Sequence, residues 1–326
     1  MSNNSFDPGI HRFMSPDTGL VLEYIVRRPA GVSTDEARRN FILAQCPGWG
    51  LGSGYLQRGL SDLWAPSPDG NSTTEPTVYT VIFLHPRGTG GSSQPLWTRK
   101  MSTMPDMSFD IEDLRKHLGV ERFPVILGHS NGGAIALGYA ELFPDRVQKL
   151  ILIDHQIIGM QDRKTDKLLA TKDNPAYRGA WDNLVNRRAD TDDELTASVN
   201  SIWPLYFHDP AKYTDELLHA IGDQKMSVWT YRWQAHCDRN LANPTQMADG
   251  LKYVRAKTLV IFGQEDLIIG LKIAVRTMEI SGAEMITYKE CGHFPWIEQK
   301  EFTLRDIRRF IEGSKSRAQK DSSTLN

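Results

Sequence analysis

The sequence predicts an α/β fold, a mostly parallel central sheet flanked by helices and carrying an inserted helical lid. Three observations point to it. Short runs of Val, Ile and Leu alternate with helical stretches, as strands covered on both faces do. One such run passes through a glycine-rich turn straight into a helix. The strand–helix rhythm then breaks between about residues 155 and 245 and resumes afterwards.

The elements follow in order. Phe13 and Leu20–Val26 form a hairpin around the turn Pro16-Asp17-Thr18-Gly19. Strands are expected at Phe41–Gln45, Val78–Leu84, Val125–Leu127, Leu150–Ile153, Thr258–Phe262 and Met285–Tyr288. Ser67 to Pro76 reads as a surface loop. A helix runs from Asn131 to Phe143 and is stopped by Pro144. A last helix places Leu304, Ile307 and Ile311 on one face. The expected organisation is a core half over 1–154, a lid over 155–245, a second core half over 246–313 and a disordered polar tail over 314–326.

The bulk composition narrows the function. The chain has 326 residues, is 40% hydrophobic and carries a formal net charge of −2. No global field favours nucleic acid or an anionic membrane, so a small molecule is the expected partner. No apolar run reaches the ~18 residues of a membrane span, and no secretory signal is read, which makes the cytoplasm the expected location. The three cysteines, Cys46, Cys237 and Cys291, suggest neither a disulfide framework nor a metal knuckle. No cofactor or metal is expected.

The strongest local signal is Gly128-His129-Ser130-Asn131-Gly132-Gly133, which fits G-x-S-x-G between a strand and a helix. Such an elbow exposes the serine hydroxyl at the carboxyl edge of the sheet. A serine hydroxyl is a weak nucleophile and needs a base. His293 is the candidate, because it follows the last strand and Gly292 frees its loop. The acid is expected at Asp266, three residues beyond Gly263 at the exit of the preceding strand, where it would hold the imidazole tautomer. Asp154, at the end of the strand after the elbow helix, is the competing acid, and Glu265 is the near neighbour. The oxyanion hole is assigned to the N–H of Asn131 and of Gly48 or Trp49, since Pro47 has none to give. Trp49, His129, His155, Trp229 and Trp233 are the expected substrate-binding residues, and His85 is placed at the same edge.

These features resemble the α/β-hydrolase superfamily, most of all its proline iminopeptidase-like branch. His85-Pro86-Arg87-Gly88-Thr89-Gly90-Gly91-Ser92 is similar to that branch's D-x-R-G-x-G-x-S, with His85 in place of Asp. Gly292-His293-Phe294-Pro295-Trp296 resembles the superfamily's closing G-H pattern. The resemblance implies the fold and a Ser-His-Asp triad. The chain departs from the branch at Cys46-Pro47-Gly48-Trp49-Gly50, where H-G-G-P-G is usual, and at Asn131, where Trp is usual. The branch's peptidases hold a free amine with lid acids, and Asp182, Glu194 and Asp238 are the candidates here.

The insertion is rich in aromatics, including Trp181, Trp203, Tyr206, Phe207 and Tyr231, with Met226, Trp229 and Trp233 spaced as one helix face. An apolar cleft with His208, Arg232 or His236 as polar handles suits an ester, lactone or related acyl bond. The alternatives are an aminopeptidase, acyl transfer, cyclisation or carbon–carbon cleavage on the same triad, or a non-catalytic ligand sensor.

Overall fold

The computed structural model describes residues 5–66, 77–96, 100–160, 168–169, 171–186 and 188–313. The Ser67–Pro76 loop and the tail over 314–326 lie outside them. Eight strands form one sheet in the order β1-β2-β4-β3-β5-β6-β7-β8. They are β1 (Gly9–Met14), β2 (Val21–Arg27), β3 (Phe41–Gln45), β4 (Thr80–His85), β5 (Phe123–His129), β6 (Val147–Ile153), β7 (Lys257–Gly263) and β8 (Glu284–Tyr288). β1 and β2 make the expected antiparallel hairpin, β2 joins β4 antiparallel, and every later pairing is parallel.

The central strands are apolar throughout because both faces are covered. Side chains alternate across a strand, so successive residues enter different cores. Phe41 and Leu43 of β3 face one core while Ile42 and Ala44 face the other. In β6, Leu150 and Leu152 join the first core, and Ile151 and Ile153 join the second. This double burial is what makes the runs look unpatterned at the sequence level.

Described helices flank the sheet: α1 (Thr34–Arg39), α2 (Gly54–Gly59), α3 (Ser108–Leu118) and α4 (Ser130–Leu142) in the first half. Between β6 and β7 the chain is helical, with α5 (Arg178–Asn186), α6 (Asp192–Asn200), α7 (Pro210–Ile221), α8 (Val228–Arg239) and the short α9 (Gln246–Gly250). α10 (Leu271–Thr277), α11 (Pro295–Glu298) and α12 (Lys300–Glu312) close the fold. α12 is amphipathic and buries Leu304, Ile307 and Ile311. α4 is buried almost all round, which its Gly and Ala content permits. Arg87, just past β4, ties its loop to α3 through a buried ion pair with Asp110, Nη2 to Oδ1 at 2.7 Å. Among the described residues, no helix is long and apolar enough to cross a membrane.

The parallel strands end in register at one edge. Gln45 pairs beside Gly128, Gly128 beside Leu152, Ile153 beside Ile261, and Gly263 beside Tyr288. Residues immediately beyond these ends share one small region, although the first and last of these strands end more than two hundred positions apart in the chain.

One buried group works against this fold. Glu141 on α4 is buried, and neither of its carboxyl oxygens has a hydrogen-bond partner among the described residues. Burial pushes its carboxyl up to about 9. A carboxyl raised in the folded state binds its proton more tightly than in the unfolded chain. Its contribution is therefore complete below the ordinary value and is lost as pH rises toward 9, by up to about 1.4 kcal/mol per pH unit. Thermal melts of Glu141→Gln should lose less stability than the parent between pH 5 and pH 8. Parallel melting curves over that window would refute the assignment.

Candidate active site

Ser130 begins α4 directly after β5 and has φ 54°. Left-handed backbone is costly for a residue with a Cβ and persists only where packing enforces it. The enforcement is visible in the glycines. A Cβ on Gly132 would meet the Gln45 carbonyl oxygen at 2.3 Å, and one on Gly128 would meet the Gly132 oxygen at 2.6 Å. The Ser130 carbonyl accepts the Gln156 N–H at 3.2 Å, which ties the elbow to the loop after β6.

His293 lies on the loop after β8, and its Nδ1 is 2.9 Å from Asp266 Oδ2. Both side chains are essentially inaccessible to solvent. Asp266 Oδ1 accepts the N–H groups of Ile268, at 2.8 Å, and Ile269, at 3.2 Å. Burial pushes the Asp266 carboxyl up, but the charge and hydrogen bond of His293 and the two amides outweigh it and hold it below its ordinary value. His293 and Ser130 line the same cavity of about 740 Å³. The loop that carries His293 is anchored on both sides. Its own N–H donates to the Tyr206 carbonyl at 2.7 Å, and Glu298 accepts from Gly292, His208 and Asp209.

His129 and Trp49 also line the cavity. Burial, then the neighbouring His293, pushes the His129 imidazole well below its ordinary value, so it is neutral. Its Nε2 donates to the His293 carbonyl at 2.8 Å, and its Nδ1 accepts from the Tyr55 hydroxyl at 3.2 Å. It therefore props the backbone of His293.

Other expected residues sit elsewhere. His155 is fully buried behind the strand ends, where Nε2 donates to Thr277 Oγ1 at 2.7 Å. Burial lowers its imidazole to about 3. It is not a cavity residue, because the chain turns it toward α10. Trp229 and Trp233 are also outside the cavity wall and pack on the core beneath the first face of the sheet. The expected helix face with Met226 fails because Ser227 caps α8, its Oγ accepting the Thr230 N–H, so Met226 precedes the helix. Met226 itself lines the cavity, as do Trp203, Tyr206 and Tyr231. None of His208, Arg232 and His236 does so; Arg232 pairs with Asp190 at the surface. His85 lies under the loop after β3 in a buried chain. Its Nδ1 is 3.1 Å from Glu23 Oε1 and its Nε2 is 2.8 Å from Ser53 Oγ.

The oxyanion assignment meets a specific obstacle. The Gly48 N–H donates to Asn131 Oδ1 at 2.9 Å, and the Trp49 N–H donates to Gln234 Oε1 at 2.7 Å. Gln234, on α8, also donates through Nε2 to Asn131 Oδ1 and to Thr103 Oγ1, both at 3.0 Å. Thr103 in turn gives its hydroxyl proton to Asp238 Oδ2 at 2.6 Å. The loop N–H groups at 48 and 49 are thus committed to a buried polar knot that joins the β3 loop, the elbow and α8. An oxyanion role for either requires that knot to open. No spacing in the sequence signals Gln234 or Thr103, since both act through contacts between distant segments.

The remaining cavity wall is aliphatic, with Ile157, Ile202, Leu217, Ile221 and Ile273 among its residues. Gln156, Asp238 and Arg239 supply polarity. Cys46 and Cys291 are buried, and burial raises both thiols well above their ordinary range, so they are packing groups.

Comparison with known proteins agrees with the architecture. The family model for the alpha/beta hydrolase fold matches residues 45–300. The chain belongs to that family and is an enzyme of the serine hydrolase type. More particularly, it is 23% identical over 290 residues to a 2-hydroxy-6-oxo-2,4-heptadienoate hydrolase of Pseudomonas putida, covering 79% of this chain and 94% of that one. It is 31% identical over 311 residues to a probable 1-acylglycerol-3-phosphate O-acyltransferase of Oryza sativa, covering 86% and 70%. The solved esterase of Exiguobacterium antarcticum superposes with a TM-score of 0.65 at 18% identity, over 94% of this chain and all of that one (100%). The proline iminopeptidase resemblance is narrower: a Neisseria meningitidis enzyme of that name is 33% identical over 86 residues, only 26% of this chain and 27% of that one.

Glu298 offers a test of how the His293 loop is held. Glu298→Ala leaves the amides of Gly292, His208 and Asp209 without their acceptor, at about 1–3 kcal/mol for each group that stays buried and unsatisfied. The variant should melt several degrees below the parent by differential scanning calorimetry. An unchanged melting temperature would show that the loop does not depend on this carboxylate.

Proposed function

We propose that the protein hydrolyses an ester, lactone or related acyl bond of a small, largely apolar molecule through Ser130, His293 and Asp266. The reading rests above all on the 2.9 Å contact between His293 and Asp266 at a cavity that Ser130 also lines. Asp266 accepts from Nδ1, which fixes the tautomer and leaves Nε2 free to take the Ser130 hydroxyl proton. The hydroxyl oxygen attacks the acyl carbon, and the N–H of Asn131, at the start of α4, is the donor assigned to the charge that develops. His293 then returns the proton to the leaving group, and water releases the acyl-enzyme by the same route in reverse. The aliphatic wall supplies apolar burial for the acyl or alcohol part at ~25 cal/mol per Å² of surface removed from water.

A second reading is favoured by the Pseudomonas putida relative, whose near-complete coverage belongs to a hydrolase of a dienoate with a 6-oxo group. On that reading the bond broken is carbon–carbon, beside a ketone, within the same cavity.

Short- and medium-chain p-nitrophenyl esters should be turned over, and Ser130→Ala should lose at least about 10³-fold in kcat. A fluorophosphonate should label the parent and not the variant. Failure of both labelling and ester turnover in folded protein would sink the serine hydrolase reading. Incubation with 2-hydroxy-6-oxo-2,4-heptadienoate, with products read by mass spectrometry, separates the two readings. Cleavage of the dienoate without ester turnover would select the carbon–carbon reaction.

A further inference from the structure

Asp154 follows β6 directly, beside the end of β7 and within 4.8 Å of Asp266. It is fully buried and has a left-handed backbone, φ 39°, which a residue with a Cβ adopts only under constraint. Its N–H donates to the Ile261 carbonyl at 2.9 Å, and its Oδ1 accepts the Gly263 N–H at 3.0 Å. Its Oδ2 is buried and receives no donor among the described residues. One ligating atom from each of Asp154, Asp266 and His293 falls within 4.8 Å of the others.

An ionised carboxylate with an orphaned buried oxygen beside another carboxylate is an expensive arrangement. The neighbouring groups do not relieve it. Among the described residues, those facing Asp154 are Asp266, Glu298, the Cys291 thiol and His293, and of these only His293 can become positive. His293 is already paired with Asp266. The pair of acids therefore carries one negative charge and one proton. The charge belongs on Asp266, which collects two backbone amides and the imidazole. The proton belongs on Asp154 Oδ2, the oxygen without a donor.

We infer that Asp154 is a neutral acid that donates its Oδ2 hydrogen to the Asp266 carboxylate, and so acts as a positioning residue that holds Asp266 toward His293. The inference rests on the triad reading given above. It accords with the opposite displacement of the two acids: burial and then the charge of Asp266 push Asp154 well up, while Asp266 is held down. Nothing is transferred in this step. The hydrogen stays on Asp154, whose side chain is hydrogen-bonded to that of Asp266. Its effect on the base has a definite sign. A donor on Asp266 withdraws some of the charge that favours the imidazolium. Loss of the donor leaves Asp266 more basic and strengthens its hold on the imidazole.

The test compares Asp154→Leu with Asp154→Asn, because the amide of Asn can still donate at the same place. Asp154→Leu should lose tenfold or more in kcat with little change in KM. The acid limb of its kcat/KM profile should move to higher pH. Asp154→Asn should recover most of that loss and restore the limb. If Asp154→Asn is as impaired as Asp266→Asn, residue 154 works as an ionised acid and the inference is wrong. If Asp154→Leu folds and keeps the parent's kcat and pH profile, the residue positions nothing, and the inference is also wrong. Infrared difference spectra at pH 7 supply a readout that needs no turnover. The parent should show a protonated carboxyl stretch that Asp154→Asn lacks, and absence of that band would overturn the inference. Presence of the band in a protein that fails ester turnover and fluorophosphonate labelling would reject the triad reading and leave the carboxyl pair standing.

Discussion

Ser130 is held in the left-handed region between a strand that ends on it and a helix that starts from it. That single backbone state sets the terms for the whole edge. It requires Gly128 and Gly132 to be bare, because the turn brings their backbones against neighbouring main chain. It brings α4 close to the sheet, so the helix is buried on nearly every side. It also fixes the cavity floor, against which the loops after β6, β7 and β8 are arranged. A shallower turn would carry the hydroxyl away from the edge where Asp266 and His293 meet.

The segment between β6 and β7 is bonded into the site rather than laid over it. Gln234 accepts from Trp49 N–H, and Gln224 accepts from Gly54 N–H at 3.2 Å. The Thr230 hydroxyl donates to the Gly88 carbonyl at 2.8 Å. These contacts reach the loops after β3 and β4, two of the loops that frame the strand ends. Most involve buried partners, where an unmade hydrogen bond is costly. The polar groups of this family member are thus concentrated where its loops meet the insertion, and the cavity is left largely aliphatic.

The architecture is legible in the sequence because double burial writes itself as continuous apolar runs. Phe41–Gln45 needs no adjustment and most of the other strands extend by a residue or a few beyond their apolar centres, whereas β2 begins at Val21 and β4 at Thr80, one and two residues later than expected. The elbow is legible for a local reason, since the turn demands glycines at fixed offsets. Asp266 and His293 can be nominated because each follows a strand end, and the structure brings the two into hydrogen-bond contact. The cavity wall is not legible in this way. His155 looks like a rim residue, but the direction of its side chain depends on α10, far along the chain. Trp229 and Trp233 have helical spacing, and spacing alone does not say which side of a helix meets the core. The commitment of the Gly48 and Trp49 amides is invisible for the same reason: their acceptors lie 83 and 185 positions away.

The stretch from Trp203 to Asp209 has one foot in each half of the molecule. It belongs to the insertion, yet its Tyr206 carbonyl holds the backbone of His293, and its His208 and Asp209 amides share Glu298 with Gly292. This makes the insertion a poor candidate for wholesale exchange between relatives. A chimera joined at the ends of β6 and β7 would import a foreign support for the imidazole along with a foreign binding wall. Recombination that spares these seven positions, and trades only the helices on either side, would vary the pocket while keeping the native bracing of His293.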